Sequence, residues 1–142
     1  MSKKEYKIGI FGLWHLGSVL SAAWSKLGYK VIGFDYDKQR VNSLLKGIPP
    51  VFESGLSETL CTSLEDGLLG FSNDIHSLKE CDFIFLSYDT PVLADDSSDL
   101  TILEKSVRDL RGAMKDDSIL IVSSQSPVGY CSTLRTILRN EN

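Results

Sequence analysis

The feature that most constrains the fold is a pair of glycines, Gly12 and Gly17, set between a strand pattern and a helix pattern. Tyr6–Phe11 is rich in β-forming residues, and apolar residues then recur at helical spacing until Gly28. This order predicts a strand, a tight turn and a helix. In dinucleotide-binding turns the first glycine permits the turn, and the third lets the helix pack closely on the strand. The residues of this turn are Gly12, Leu13, Trp14, His15, Leu16 and Gly17.

A second buried strand is predicted directly after this helix. It covers Lys30–Asp35 and ends 23 positions after Gly12. Dinucleotide-binding domains carry an acid at a spacing of about 20, where it hydrogen-bonds the adenosine ribose. A carboxylate at this place repels the 2′-phosphate of NADP, so Asp35 favours NAD. Asp37 is expected to cap a helix that runs up to Gly47.

The rest of the chain continues the alternation of helices and short apolar strands. Strands are predicted within 67–72, 82–87 and 118–123. Helical segments are predicted within 56–64 and 75–80, from Ser98 or Asp99 to about Met114, and over Val128–Arg139. Pro127 is expected in the first turn of this last helix. Continuous apolar strands indicate burial on both faces, and their alternation with helices indicates a parallel sheet. We therefore predict one α/β domain over residues 1–142, a doubly wound (Rossmann-type) parallel sheet with its ligand at the carboxyl ends of the strands.

Composition argues against several classes of function. The 142 residues include 15 Lys+Arg and 19 Asp+Glu, a net charge of −4, so no nucleic-acid or anionic-lipid partner is expected. The apolar runs are far shorter than the about 20 residues that span a membrane, and no signal peptide is expected. Three cysteines without C-x-x-C spacing favour a reducing, cytoplasmic compartment. We expect these cysteines to have structural roles, and we assign no metal site.

Trp14 occupies the position of the middle glycine, where pyrophosphate normally approaches the backbone. Its indole must either turn out of the phosphate path, for instance to stack on another ring, or obstruct the site. Two interpretations of the turn therefore stay open. One is a nucleotide site in which the N–H groups and the dipole of the helix face phosphates. The other is a phosphate-free turn.

Further motifs follow this turn in a specific order. They are Gly47-Ile48-Pro49-Pro50 continuing to Glu53-Ser54-Gly55-Leu56, Thr90-Pro91 after an apolar strand, and Pro127-Val128-Gly129 after the last strand. From Lys7 to about Arg139, the chain resembles the N-terminal, NAD-binding domain of the UDP-glucose/GDP-mannose dehydrogenase family. The resemblance implies an enzyme that uses two NAD molecules in succession to oxidise the C6 alcohol of a nucleotide sugar to a carboxylate. It also implies a role in polysaccharide biosynthesis.

The resemblance suggests roles for individual residues. Asp35 would hold the adenosine ribose, Arg40 would meet the adenosine end of NAD, and Thr90 would help to hold NAD beside a strand. Glu53 is either a cofactor-facing or substrate-facing residue or a surface carboxylate, and Thr90 could also be an ordinary turn hydroxyl. His15 either meets a phosphate or packs against the turn. The complete predicted cofactor-binding set is Gly12, Trp14, His15, Leu16, Gly17, Asp35, Arg40, Glu53 and Thr90.

The chain departs from the family at Gln125, which stands where the family commonly has a catalytic threonine. A glutamine amide can orient a water but does not reproduce the geometry of a hydroxyl. The family's nucleophilic cysteine and catalytic lysine and asparagine belong to a substrate domain, which we expect to follow residue 142. No catalytic residue is therefore assigned here, and we expect this chain alone to turn over nothing. The nucleotide sugar would bind through that second domain, and a homo-oligomer is compatible with the resemblance.

Two alternative functions are kept. A non-catalytic nucleotide-sensing or interaction module with a degenerate dinucleotide turn would explain Trp14. A dehydrogenase of small 3-hydroxy acids would share the first turn, but the Pro49–Leu56 segment and Thr90-Pro91 argue against it.

Overall fold

The computed structural model describes residues 5–139, in which strands and helices alternate along the chain. The strands of this part are β1 (Lys7–Phe11), β2 (Lys30–Phe34), β3 (Leu69–Ser72), β4 (Phe83–Leu86) and β5 (Ile119–Val122). The helices are α1 (His15–Lys26), α2 (Lys38–Leu44), α3 (Leu56–Glu65), α4 (Thr101–Leu110) and α5 (Tyr130–Arg139), and a 3₁₀ turn covers Ile75–Leu78.

The strands form one parallel sheet in the order β3-β2-β1-β4-β5. At the carboxyl end of β1, Phe11 is the register partner of Phe34 in β2 and of Leu86 in β4. The strand order changes direction between β1 and β4, and in open α/β sheets this change opens a crevice at the carboxyl ends of the strands. The loops after Phe11, Phe34 and Leu86 therefore meet at one place.

Helices cover both faces of the sheet. On one face Ile10 packs with residues of α2 and α3 such as Leu44 and Leu60, and on the other Ile84 packs with Leu103 of α4 and Leu134 of α5. Each face thus has its own apolar core, which confirms the predicted doubly wound Rossmann-type sheet.

The predicted start of α2 is confirmed by its cap. The Asp37 carboxylate accepts hydrogen bonds from the backbone N–H of Gln39 at 2.9 Å and of Arg40 at 3.1 Å. These bonds satisfy donors that the first turn of a helix leaves without intrahelical partners. The helix is shorter than expected, because it ends at Leu44 rather than near Gly47.

The predicted bounds of the last two helices need correction. α5 begins at Tyr130, not at Val128, and Pro127 lies before it, because Gly129 adopts a φ of +85° that a helix cannot contain. α4 begins at Thr101, whose N–H donates to the Asp99 carboxylate at 3.0 Å, and ends at Leu110 before the predicted end.

The expectation that every strand is buried on both faces is wrong for β5. Ile119 is 54% exposed, and the other residues of β5 are only half-buried. β5 lies at the edge of the described sheet, with β4 as its neighbour on one side, and an open groove separates it from part of α5. A central strand such as β1, in contrast, has four buried residues out of five.

The three cysteines lie within residues 5–139, and all are free thiols. Cys81 is buried, and burial raises the pKa of its thiol to about 12, which makes it unreactive. Cys131 is exposed on α5, which does not agree with the structural role expected for it. No helix within the described residues is long and apolar enough to cross a bilayer.

Candidate functional site

The first turn has the geometry that its two glycines predict. Gly12 has a φ of +101°, a conformation that side-chain-bearing residues rarely adopt. A Cβ on Gly17 would lie 1.8 Å from the Gly12 carbonyl oxygen, so any side chain here would push α1 away from β1. The turn therefore brings the amino end of α1 against the carboxyl end of β1.

The amino end of α1 faces outward. The residue before the helix, Trp14, makes no side-chain cap hydrogen bond, and the first turn contains no acidic residue. Trp14, His15 and Leu16 are all exposed. The backbone N–H groups of a first turn have no partners within the helix, and together with the helix dipole they favour an anion. The α1 terminus is thus chemically suited to a phosphate group.

Asp35 lies at the carboxyl end of β2 and is 1% exposed. Its Oδ2 accepts from the Leu13 N–H at 2.7 Å and from Nη1 of Arg40 at 2.9 Å, and its Oδ1 accepts from the Asp37 N–H at 2.9 Å. The carboxylate therefore joins the first turn, the end of β2 and the start of α2. The sequence predicted Asp35 as a ligand of ribose but not its role in holding the Leu13 backbone.

Tyr88, in the loop after β4, closes another side of this carboxylate. Burial raises the pKa of the Tyr88 phenol well above its ordinary range, and the nearby charge of Asp35 raises it further. The ring stacks on Tyr36 with centroids 6.1 Å apart, and a Cβ on Gly12 would meet the Tyr88 ring at 3.1 Å. No local pattern in the sequence marks Tyr88, because its place beside Asp35 depends on the pairing of β4 with β1.

Ser87 is a second residue of this site that the sequence analysis missed. Its buried hydroxyl donates to the Gly12 carbonyl oxygen at 2.8 Å, and it thereby ties the end of β4 to the first turn. The available signal was its position directly after the apolar strand at 83–86. That signal becomes useful only when β4 is known to lie beside β1.

Trp14 turns its indole toward α2. The guanidinium carbon of Arg40 lies 5.1 Å from the centre of the Trp14 ring, within the range of a cation–π contact. The two side chains line a shallow cavity of about 250 Å³ together with Ile48, Pro49 and Pro50. The partner of the indole is thus a guanidinium rather than another ring, which was one example of how the indole could turn out of the phosphate path.

His15 and Glu53 contact each other at the outer rim of the turn. His15 Nε2 lies 2.7 Å from Glu53 Oε1, and both side chains are about half exposed. The contact links the first turn of α1 to the loop before α3. Neither of the two arrangements considered for His15 includes this partner, whereas the surface position considered for Glu53 agrees with its exposure.

Thr90 and Gln125 meet where the loops after β4 and β5 approach each other. The Thr90 hydroxyl donates to the Gln125 backbone carbonyl at 2.8 Å, so the contact does not depend on the glutamine amide. Of the predicted site residues, the structure gathers Gly12, Trp14, Gly17, Asp35 and Arg40 around the first turn, with His15, Leu16 and Glu53 at its rim. Thr90 belongs instead to the β4–β5 side.

The comparison with known proteins decides what this arrangement belongs to. The family model described as the NAD binding domain of the UDP-glucose/GDP-mannose dehydrogenase family matches residues 6–142. The chain belongs to this family. It is an NAD-binding domain of the nucleotide-sugar dehydrogenase type, as the resemblance of its motifs predicted.

Individual relatives agree with the family assignment. The UDP-glucose 6-dehydrogenase TuaD of Bacillus subtilis is 27% identical over 94% of this chain and 29% of its own length. The UDP-N-acetyl-D-mannosamine dehydrogenase of Escherichia coli is 29% identical over 86% of this chain and 28% of its own length. The chain thus spans less than a third of the length of these curated relatives.

Solved structures match the fold closely. A UDP-glucose dehydrogenase from Pyrobaculum islandicum is 26% identical, with a TM-score of 0.90 over 99% of this chain and 34% of that structure. A ternary complex of GDP-mannose dehydrogenase from Pseudomonas aeruginosa is 25% identical, with a TM-score of 0.89 over 94% of this chain and 32% of that structure. The named substrates of these relatives differ, so the family alone does not fix the sugar.

Proposed function

We propose that this chain binds NAD at the carboxyl ends of β1 and β2 and serves as the cofactor domain of a nucleotide-sugar 6-dehydrogenase. The observation that carries the proposal is the combination of two features at one turn. An α1 terminus without a side-chain cap faces outward beside the tight glycine turn, and the buried Asp35 carboxylate lies next to it. The first feature suits a diphosphate and the second a ribose diol.

In this proposal the diphosphate lies at the first turn of α1, where the backbone N–H groups of His15 and Leu16 face it. The adenosine ribose lies at Asp35 and Arg40, at the end of β2. The carboxylate would repel a 2′-phosphate, so NAD is preferred over NADP. Gly12 and Gly17 act through the backbone, by allowing the strand and helix to approach each other.

The nicotinamide end would extend toward the β4–β5 side of the crevice. Thr90 is the predicted contact there, and its hydroxyl is fixed by the Gln125 carbonyl. When bound, NAD supplies the hydride acceptor for oxidation of an alcohol carbon. The residues of this chain hold and orient the cofactor, while the catalytic groups belong to the part of the relatives that this chain does not span.

The proposed substrate is a nucleotide sugar that is oxidised at C6 from the alcohol to the carboxylate. The relatives named for UDP-glucose, GDP-mannose and UDP-N-acetyl-D-mannosamine support this class. The free thiols of Cys61, Cys81 and Cys131 support a cytoplasmic location. The 142-residue chain alone is expected not to reduce NAD with any of these sugars.

Calorimetric titration with NAD and NADP tests the proposal. Wild type is expected to bind NAD more tightly than NADP. Asp35→Asn should weaken NAD binding about tenfold or more, because a hydrogen bond to a charged group is lost. Asp66→Asn, at an exposed acid remote from the turn, is the matched control and should bind as wild type does. The absence of binding at millimolar NAD, with the protein folded, would contradict the proposal.

A further inference from the structure

Trp14 is the residue by which this turn departs most from an ordinary dinucleotide turn, and its contact with Arg40 indicates a role for the indole. The indole is 42% exposed and lies under the Arg40 guanidinium, with the guanidinium carbon 5.1 Å from the ring centre. The same guanidinium donates from Nη1 to Asp35 at 2.9 Å, and its Nη2 lies 3.6 Å from the Asp37 carboxylate. Arg40 is therefore held on three sides.

Arg40 is the charged side chain that hydrogen-bonds the Asp35 carboxylate. Two of the donors to Asp35 are the backbone N–H groups of Leu13 and Asp37, which move only with the chain. Tyr88 is fixed by its packing on Tyr36. The Arg40 side chain is 22% exposed and is the solvent-facing partner of the carboxylate. In the proposed NAD site, a ribose hydroxyl at Asp35 would therefore lie beside the guanidinium.

The position of the guanidinium depends on its neighbours, because an arginine side chain has many rotamers and loses entropy when it is held in one. Its second ion pair, with the half-exposed Asp37 carboxylate, contributes little to holding it. An aromatic face adds a cation–π attraction, and it selects the rotamer in which the planar guanidinium lies over the ring.

We propose that Trp14 is a positioning residue whose indole holds the Arg40 guanidinium at the edge of Asp35, where Arg40 forms one wall of the adenosine ribose site. This inference rests on the proposed binding of NAD at Asp35. It predicts that Trp14 strengthens NAD binding through Arg40. A glycine at position 14, although it matches the ordinary dinucleotide turn, therefore weakens binding.

The test measures the Kd for NAD in a mutant cycle of the 142-residue chain. Trp14→Gly is expected to raise the Kd about two- to fivefold, which corresponds to the loss of one exposed cation–π contact. Trp14→Phe keeps an aromatic face and should remain close to wild type. Trp14→Leu keeps apolar bulk without that face and should behave like Trp14→Gly. Arg40→Met should raise the Kd at least as much as Trp14→Gly, and adding Trp14→Gly to Arg40→Met should have no further effect.

Two results would overturn the inference. A lower Kd in Trp14→Gly would mean that the indole obstructs the site. A Trp14→Gly effect of equal size with and without Arg40 would mean that the two residues act independently. Arg108→Met, which removes an arginine from α4, is the matched control for charge, and unfolding curves check that each variant is folded.

A spectroscopic measurement gives a readout that does not need nucleotide. In a Trp24→Phe background Trp14 is the sole indole, because the chain has two tryptophans. Arg40→Met should then change the Trp14 emission, whereas Arg108→Met should not. If the proposed function is wrong, wild type does not bind NAD. If only the inference is wrong, wild type binds NAD, but substitution of Trp14 does not raise the Kd through Arg40.

Discussion

Two regions of the sheet, around β1 and beside β5, differ in how completely this chain encloses them. Around β1 and β2, Asp35 and Ser87 are buried and hydrogen-bonded to the backbone of the first turn. Beside β5, Leu120 and Val122 instead line an open groove of about 650 Å³ with Leu134 and Leu138 of α5. The chain thus fixes the proposed adenosine half of the site by itself, whereas the side next to β5 is left accessible.

The difference follows from the position of each strand. A strand between two neighbours, such as β1, has its backbone paired on both sides, and the helices on both faces bury its side chains. An edge strand lacks one set of neighbours. Substitutions around β1 are therefore expected to be strongly destabilising, and substitutions beside β5 are expected to be tolerated better.

The largest difference between the two regions is expected from a glycine in each. Gly17→Ala would place a Cβ 1.8 Å from the Gly12 carbonyl oxygen, and we expect a loss of about 3 kcal/mol or more in the free energy of unfolding. Gly112→Ala, in the segment before β5, meets nothing within 4 Å and should change it by less than about 0.5 kcal/mol. Urea unfolding of both variants measures the difference. Equal losses would show that the first turn is not the more constrained region.

A smaller difference is expected from leucine truncation in the two cores. Leu60 of α3 is fully enclosed, so Leu60→Ala should leave a cavity and cost about 4 kcal/mol. Leu134 of α5 is buried but borders the open groove, where neighbours can relax and water can enter, so Leu134→Ala should cost about 2 kcal/mol. Urea unfolding measures both losses. The comparison fails if Leu134→Ala costs as much as Leu60→Ala.

The smallest effect is expected at Asp82, directly before β4, and it depends on pH. The Lys115 ammonium, followed by the Lys7 backbone N–H, lowers the pKa of the Asp82 carboxyl below its usual value. A lowered folded-state pKa stabilises the protein above the unfolded pKa of about 3.9, and this contribution disappears as the pH falls through the folded value. Asp82→Asn should therefore flatten the loss of stability below pH 4 in acid unfolding. An unchanged acid limb would contradict this.

Much of the fold could be predicted from the sequence, because its signals are local. The glycine pair at 12 and 17 fixed the first turn, and Asp37 marked the start of α2 through a cap that involves only residues two and three positions away. The bounds of α5 could not be predicted from Pro127 alone, since the left-handed conformation of Gly129 decides where the helix begins.

The site was less predictable, because its contacts join distant parts of the chain. The spacing of Asp35 from Gly12 indicated its place, but the contact of Trp14 with Arg40 depends on how α2 packs over the first turn. Ser87 and Tyr88 reach the first turn only because β4 pairs with β1, a strand order that no local pattern in the sequence reveals. The contact of Thr90 with Gln125 likewise spans 35 positions.

The bonds of Asp35 have a consequence for engineering cofactor preference. A change to NADP would ordinarily begin by replacing this acid with a neutral residue, but the same carboxylate accepts hydrogen bonds from the Leu13 and Asp37 amides. A redesign that removes the negative charge must supply another acceptor for these amides. Otherwise the variant would accept NADP, but the backbone around Leu13 and Asp37 would lose the hydrogen bonds that hold it in place.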